Sequence, residues 1–102
     1  MNAPDKFERI VFGLKYDVQT AVLIADDEFW DGSNFERNGR NCFLYRTPNG
    51  RYFTINLSQW QGEQDTLTPV SPEQARSLFE EALSEHHVEY ADAFPGVEIV
   101  AA

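Results

Sequence analysis

Cys42-Phe43-Leu44-Tyr45-Arg46-Thr47-Pro48-Asn49-Gly50-Arg51-Tyr52-Phe53-Thr54-Ile55-Asn56-Leu57 places two strand-like runs on either side of a proline, an asparagine and a glycine. Two turns can join the runs. A two-residue turn at Asn49-Gly50 would put Pro48 where the partner strand needs an N–H, and proline has none. A type I turn followed by a bulge puts Pro48 at the second turn position, Asn49 at the third and Gly50 in the left-handed place, so each residue suits its backbone. This second turn sets Thr47 opposite Arg51, Tyr45 opposite Phe53 and Phe43 opposite Ile55. Alternate side chains on a strand share a face. Phe43, Tyr45, Phe53, Ile55 and Leu57 form the face assigned to the core. Cys42, Leu44, Arg46, Tyr52, Thr54 and Asn56 form a mixed opposite face, and a one-residue slip would exchange the two.

Working outward, residues 1–6 read as a frayed terminus. Phe7 to Val11 reads as a short strand turned at Gly13. Thr20 to Ile24 is apolar and β-branched, which favours a strand. A short helix starting near Asp17 competes with it, because short apolar runs suit either. Asp31-Gly32-Ser33-Asn34 reads as a loop. Thr66 to Val70 reads as a further strand. Ser71 then has the features of an N-cap, with Pro72 at the first helical position and Gln74 completing a capping box. Ala75, Leu78, Phe79, Ala82 and Leu83 recur at helical spacing and form one apolar stripe, which leaves Glu73, Glu80, Glu81 and Glu85 facing water. A second short helix is expected from about Val88 to Phe94, stopped by Pro95-Gly96. Val97 to Val100 alternates weakly, as an edge strand would. Strands precede helices, so the expected fold is α+β: one domain over residues 1–102, with a small antiparallel sheet of about three to five strands and C-terminal helices packed on one face.

The chain has 102 residues, of which 42% are hydrophobic, with eight Phe, four Tyr and two Trp. That composition excludes a disordered chain despite a net charge of -9. The longest apolar run, Ala21 to Ala25, is far too short for a membrane span, and Met1 to Asp5 lacks the pattern of a signal peptide. Cys42 is the only cysteine, which rules out an internal disulfide and a zinc site built on several thiolates. The expectation is a cytoplasmic protein with no cofactor and no metal.

The charge is unevenly spread. Residues 1–59 carry eight acids and seven bases, whereas residues 60–102 carry nine acids and one base, Arg76. Phosphate contacts need the opposite sign, so direct nucleic-acid binding is not expected, and neither is an acidic membrane surface. A basic protein partner is compatible with this charge. So is ordinary solvation of a small domain.

Few residues suggest chemistry. A Cys–His nucleophilic pair is conceivable between Cys42 and His86 or His87, but a lone cysteine inside an apolar strand reads as a packing residue. Adjacent histidines on a helix point apart, so His86-His87 reads as a solvated junction between helices. Asp26, Asp27, Glu28 and Asp31 surround Phe29 and Trp30. Gly32 comes too late for a calcium loop. The cluster therefore reads as an exposed acidic loop or as an aromatic anchor with an acidic rim. Trp60 lies among polar residues and reads as a core cover or a second anchor. No phosphate-binding glycine loop and no nucleophile-elbow or zinc-protease motif occurs.

The order of several short motifs resembles a group of small proteins from bacteria, phages and mobile elements. The resemblance rests on Lys15-Tyr16-Asp17 with Thr20-Ala21 and Ile24-Ala25, on Leu44-Tyr45-Arg46-Thr47, and on Gly50-Arg51-Tyr52-Phe53. Pro69-Val70-Ser71-Pro72-Glu73-Gln74-Ala75 and an acidic end with Glu89-Tyr90 and Phe94-Pro95-Gly96 complete it, so that it spans about residues 15–96. The chain departs from the group between Trp60 and Leu67, where a longer glycine-rich segment is usual. No catalytic residues come with the resemblance. It implies a mobile-element protein similar to acidic anti-CRISPR inhibitors, working in the cytoplasm of a bacterial host.

The expected function is therefore a non-enzymatic inhibitor that places an acidic surface in a basic nucleic-acid-binding site, with a CRISPR–Cas effector subunit as partner. The candidate surface is Asp26, Asp27, Glu28, Trp30 and Asp31 in the first half, Trp60 in the middle, and Glu80, Glu81, Glu85, Glu89 and Asp92 in the C-terminal part. The expected state is a monomer. The alternatives are an interaction or antitoxin-like module and, with least support, a small enzyme using Cys42.

Overall fold

The computed structural model describes residues 3–27, 40–58, 62 and 64–102, with only the backbone of Arg40. At the central hairpin the Gly50 N–H donates to the Thr47 carbonyl at 2.9 Å, and the Thr47 N–H donates to the Arg51 carbonyl at 2.8 Å. Gly50 has φ +82°, the left-handed backbone that the proline-led turn requires of its last residue. The flanking strands, β4 (Arg40–Arg46) and β5 (Tyr52–Ser58), pair in the expected register, Phe43 opposite Ile55 and Tyr45 opposite Phe53.

The hairpin is the middle of a five-stranded sheet. β3 (Val22–Asp26) pairs with β4, and β6 (Thr66–Val70) pairs with β5. A two-residue strand, β7 (Glu85–His86), adds to the outer side of β3. The order is β6-β5-β4-β3-β7 and each pairing is antiparallel. The strand reading of the Thr20–Ile24 run prevails, with the strand displaced to Val22–Asp26. Asp17 starts a tight turn in place of a helix: its carboxylate accepts from the Gln19 N–H at 2.9 Å and its carbonyl from the Ala21 N–H at 3.1 Å.

Ahead of the sheet, β1 (Glu8–Val11) and β2 (Leu14–Asp17) form a separate two-stranded ribbon. Its turn is Phe12-Gly13, with φ of 51° and 76°. Two successive positive φ values match the right-handed twist of a two-residue hairpin. The sequence reading included β1 but not β2.

Both sheet faces carry a buried cluster; on the mixed second hairpin face Leu44, Tyr52 and Thr54 are buried while Asn56 stays exposed. Phe43, Tyr45, Phe53, Ile55 and Leu67 pack with Tyr16 and Val18 from the N-terminal segment. There Phe53 stacks on Tyr45 at 5.1 Å and meets the edge of Tyr16 at 5.7 Å. On the other face Leu44 and Tyr52 pack with Ile24, Ala75, Phe79, Leu83 and Phe94. Tyr52 is tolerated there because its hydroxyl donates to the Ala93 carbonyl at 2.6 Å, which satisfies its polar end. The fold is α+β, with the helical elements on this second face.

The first helix starts as the sequence predicts. Ser71 Oγ accepts from the Gln74 N–H at 3.1 Å, and Gln74 Oε1 accepts from the Ser71 N–H at 2.9 Å. The α-helix α1 covers only Pro72–Ser77, and a π-helical turn continues it over Leu78–Ala82. The Leu83 N–H closes that turn on the Leu78 carbonyl at 2.9 Å. Ala75, Phe79 and Leu83 are buried, Leu78 is half-buried and Ala82 is exposed. A π turn advances fewer degrees per residue than an α turn, which swings Ala82 off the stripe.

Three expectations are corrected beyond this point. His86-His87 does not join two helices, because Glu85 and His86 are drawn onto the sheet edge. The second helix, α2, is only Tyr90–Ala93. Val97 to Val100 forms no strand. At Glu85–His86 pairing with the distant edge of β3 overrides a weak local pattern, whereas Ile99 and Val100 stay exposed.

Candidate functional site

Several of the exposed acids lie on the helical side. Glu80, Glu81, Glu85, Glu89 and Asp92 are all exposed, and they sit on the π turn, β7 and the start of α2. The tie between the π turn and α2 is a short polar chain. Arg76 Nε donates to Tyr90 Oη at 3.0 Å, and Tyr90 Oη donates to Glu80 Oε2 at 3.1 Å. Arg76 is the only base in residues 60–102, and this chain engages it. Ser77 Oγ adds a weaker bond to Glu81 at 3.4 Å.

Asp26 and Asp27 have other duties. Asp26 is only 2% exposed, which corrects its placement on a partner surface. A carboxylate this buried needs a strong partner, because its desolvation is costly. That partner is His87, whose Nε2 lies 2.6 Å from Asp26 Oδ2. The backbone helps to set this up, since the His87 N–H donates to the Ile24 carbonyl at 3.0 Å. Asp27 is half-buried and fastens β3 to β4: its Oδ1 accepts from the Cys42 N–H at 2.9 Å and from Asn41 Nδ2 at 3.1 Å. Glu28, Trp30, Asp31 and Trp60 lie outside the described residues.

His86 is anchored differently from its neighbour. Its Nε2 is 2.6 Å from the Phe79 carbonyl, and its ring stacks on Phe79 at 3.8 Å. Histidine near a helix C-terminus can satisfy a last-turn carbonyl in this way. The two histidines, Phe79, Val88, Tyr90, Glu89 and Asp92 line an open cleft of about 680 Å³. Sequence reasoning did not foresee the Asp26–His87 pair. The partners stand 61 residues apart, and no local spacing signals such a contact.

Cys42 packs against the core beneath the helices. Its thiol is pushed up to about 12, first by burial and then by the nearby carboxylates of Asp27 and Asp26. A thiol held that firmly protonated is a poor nucleophile. Among the described residues, no group of three or more His, Cys, Asp or Glu side chains could hold a metal ion, and no helix is long and apolar enough to cross a membrane. No protein-family model matches the chain, and neither does any curated protein or solved structure.

Proposed function

We propose that this is a non-enzymatic binding protein whose acidic face occupies a basic, nucleic-acid-binding site on a partner protein and keeps nucleic acid out of it. One observation carries the reading. Glu80, Glu81, Glu85, Glu89 and Asp92 are exposed together on a segment whose single base, Arg76, is already engaged by Tyr90. A channel that attracts phosphates also attracts carboxylates held in a fixed array, and electrostatic complementarity speeds and orients such an encounter. The array is fixed because Phe79, Leu83 and Phe94 anchor its backbone in the core. The partner class implied by the resemblance is a subunit of a CRISPR effector complex.

The test is binding to purified effector complexes, with and without DNA, at two salt concentrations. The unmodified protein is expected to bind, to compete with DNA and to bind more weakly as salt rises. Replacing Glu80, Glu81, Glu85, Glu89 and Asp92 with lysine should leave the far-ultraviolet circular dichroism intact and weaken binding by more than about tenfold. Unchanged binding by the folded variant overturns the acidic face. Absence of binding to every such complex overturns the assignment of partner.

A further inference from the structure

Arg46 and Arg76 are the half-buried bases among the described side chains. Arg76 has a partner in Tyr90. Arg46 forms no hydrogen bond and no ion pair among the described residues, and its Nε is sealed from water without an acceptor. The exposed bases differ, since Arg9 and Lys15 have partners and water solvates Lys6 and Arg51. A desolvated guanidinium with no counter-charge is costly, and buried polar groups left unpaired are rare enough to need a cause. Acids are abundant in this chain, 17 against 8 bases, yet none is brought to Arg46.

The fold holds Arg46 in place. It lies opposite Val22 on β3 and opposite Tyr52 on β5, and Tyr52 in turn lies opposite Val70 on β6. Directly opposed residues share a sheet face, so the arginine stands in a row with Val22, Tyr52 and Val70, none of them an anion. The Tyr52 hydroxyl proton is spent on the Ala93 carbonyl. At the far end of the side chain, a Cβ at Gly50 would stand 3.5 Å from Arg46 Nη2, so the guanidinium lies beside the glycine of the turn. Nη1 and Nη2, unlike Nε, are not buried. The terminal fork is therefore open to a ligand while the inner edge is fixed against protein.

We infer that Arg46 is the receptor for a carboxylate carried on a hydrocarbon stem. The two Nη groups match the two oxygens of a carboxylate with parallel N–H···O bonds. One carboxylate cancels one unpaired positive charge, whereas a phosphate dianion would add negative charge to a chain already at -9. Val22, 55% exposed beside Arg46, offers apolar surface to the stem. A small aliphatic acid and the free end of a peptide share this chemistry. The site is independent of the acidic-face reading, because it uses none of those five carboxylates.

The experiment is an NMR titration of the isotope-labelled full chain with sodium butyrate, against sodium chloride at equal ionic strength. Saturable shifts are expected at the Arg46 Nε–H and at the amides of Val22, Gly50 and Tyr52, with inorganic phosphate giving smaller ones. Arg46→Met keeps an unbranched stem without the charge. It should melt at a higher temperature than the unmodified protein, because a desolvated cation is gone, and should show no saturable shift. Arg46→Lys keeps the charge without the planar fork and should bind butyrate at least about threefold more weakly. Tighter binding of a valine-ended tripeptide with a free C-terminus than of butyrate supports a chain end as the source, and the reverse order supports a free acid. Equal binding by Arg46→Lys would reduce the contact to charge and overturn the receptor. Shifts that persist in Arg46→Met would place the ligand elsewhere and overturn it too. A lower melting temperature for Arg46→Met, with no butyrate shifts in the unmodified protein, would make the arginine a structural residue and overturn the receptor as well.

Discussion

The two sides of the five-stranded sheet are covered by layers of different electrostatic character, one with its charges paired and one acidic. On one side the β1–β2 ribbon settles its charges internally. Lys15 pairs with Glu8 at 3.0 Å and with Asp17 at 3.9 Å, while Arg9 donates to the Leu67 carbonyl at 2.8 Å. Beside these paired charges the ribbon exposes large apolar side chains: Ile10 is 69% and Phe12 100% exposed. On the other side the layer of α1, the π turn, β7 and α2 buries a dense aromatic cluster and shows water a row of carboxylates. Phe79 alone meets His86, Tyr90 and Phe94 with ring centroids 3.8, 5.7 and 5.5 Å away. Both layers do the same work for folding, since each caps one apolar face. Stability needs the buried stripe and is nearly indifferent to the sign of exposed charge. The acidic row is therefore free to serve binding.

The comparison can be broken most severely at Phe79. Phe79→Ala removes the ring that holds π turn, β7 and α2 together, and should cost about 3–5 kcal/mol in urea unfolding. Tyr16→Ala, on the ribbon side, should cost less, because among the described residues Tyr16 meets one ring, that of Phe53, where Phe79 meets three. Equal costs would mean that the two layers are equally important and would remove the reason for treating the helical side as the rigid platform.

A smaller effect is expected at the long-range pair. Asp26→Ala leaves the inner nitrogen of His87 without its acceptor and should cost about 1–3 kcal/mol. Hydrogen exchange should then quicken at residues 85–87 while β1 and β2 keep their protection. Faster exchange in the ribbon as well would show that the layers are coupled and not independent.

The smallest effect belongs to Cys42. Cys42→Ala should cost no more than about 1–2 kcal/mol and leave binding unchanged. Its pH behaviour has a definite sign. The folded state holds the thiol proton up to about 12, whereas the ordinary value is 9.0, so the unfolded chain releases its proton first. The Cys42 contribution is complete below pH 9 and falls as pH rises from there towards 12. Alkylation at mildly alkaline pH should accordingly be slow in the native protein and fast in urea. Rapid native alkylation would show a reactive thiolate and reopen a catalytic role.

How much was legible depends on how far each interaction reaches along the chain. The Pro48-Asn49-Gly50 turn, the register it dictates and the Ser71–Gln74 capping box are closed within a few residues. Their chemistry is therefore written into adjacent positions. The stripe of Ala75, Phe79 and Leu83 was readable for the same reason, although the π turn displaced Ala82 from it. The candidate site was much less legible. The exposure of Glu80 and Glu81 follows from their position off the apolar stripe, but the burial of Asp26 does not follow from any neighbour in sequence.

By itself, then, the sequence determined the local turns, the helix start, the hairpin register and the charge imbalance, because each is set by side chains and backbone groups in immediate succession. Tertiary structure decided the rest. A period-of-two pattern tells which residues share a face but not what covers it, so burial of both hairpin faces had to wait for the ribbon and the helices to arrive. Strand β7 exists because Glu85 and His86 find a free edge on β3. The Asp26–His87 bond exists because the same edge brings together residues 61 positions apart, where the cost of closing the loop is met by packing that no local pattern records.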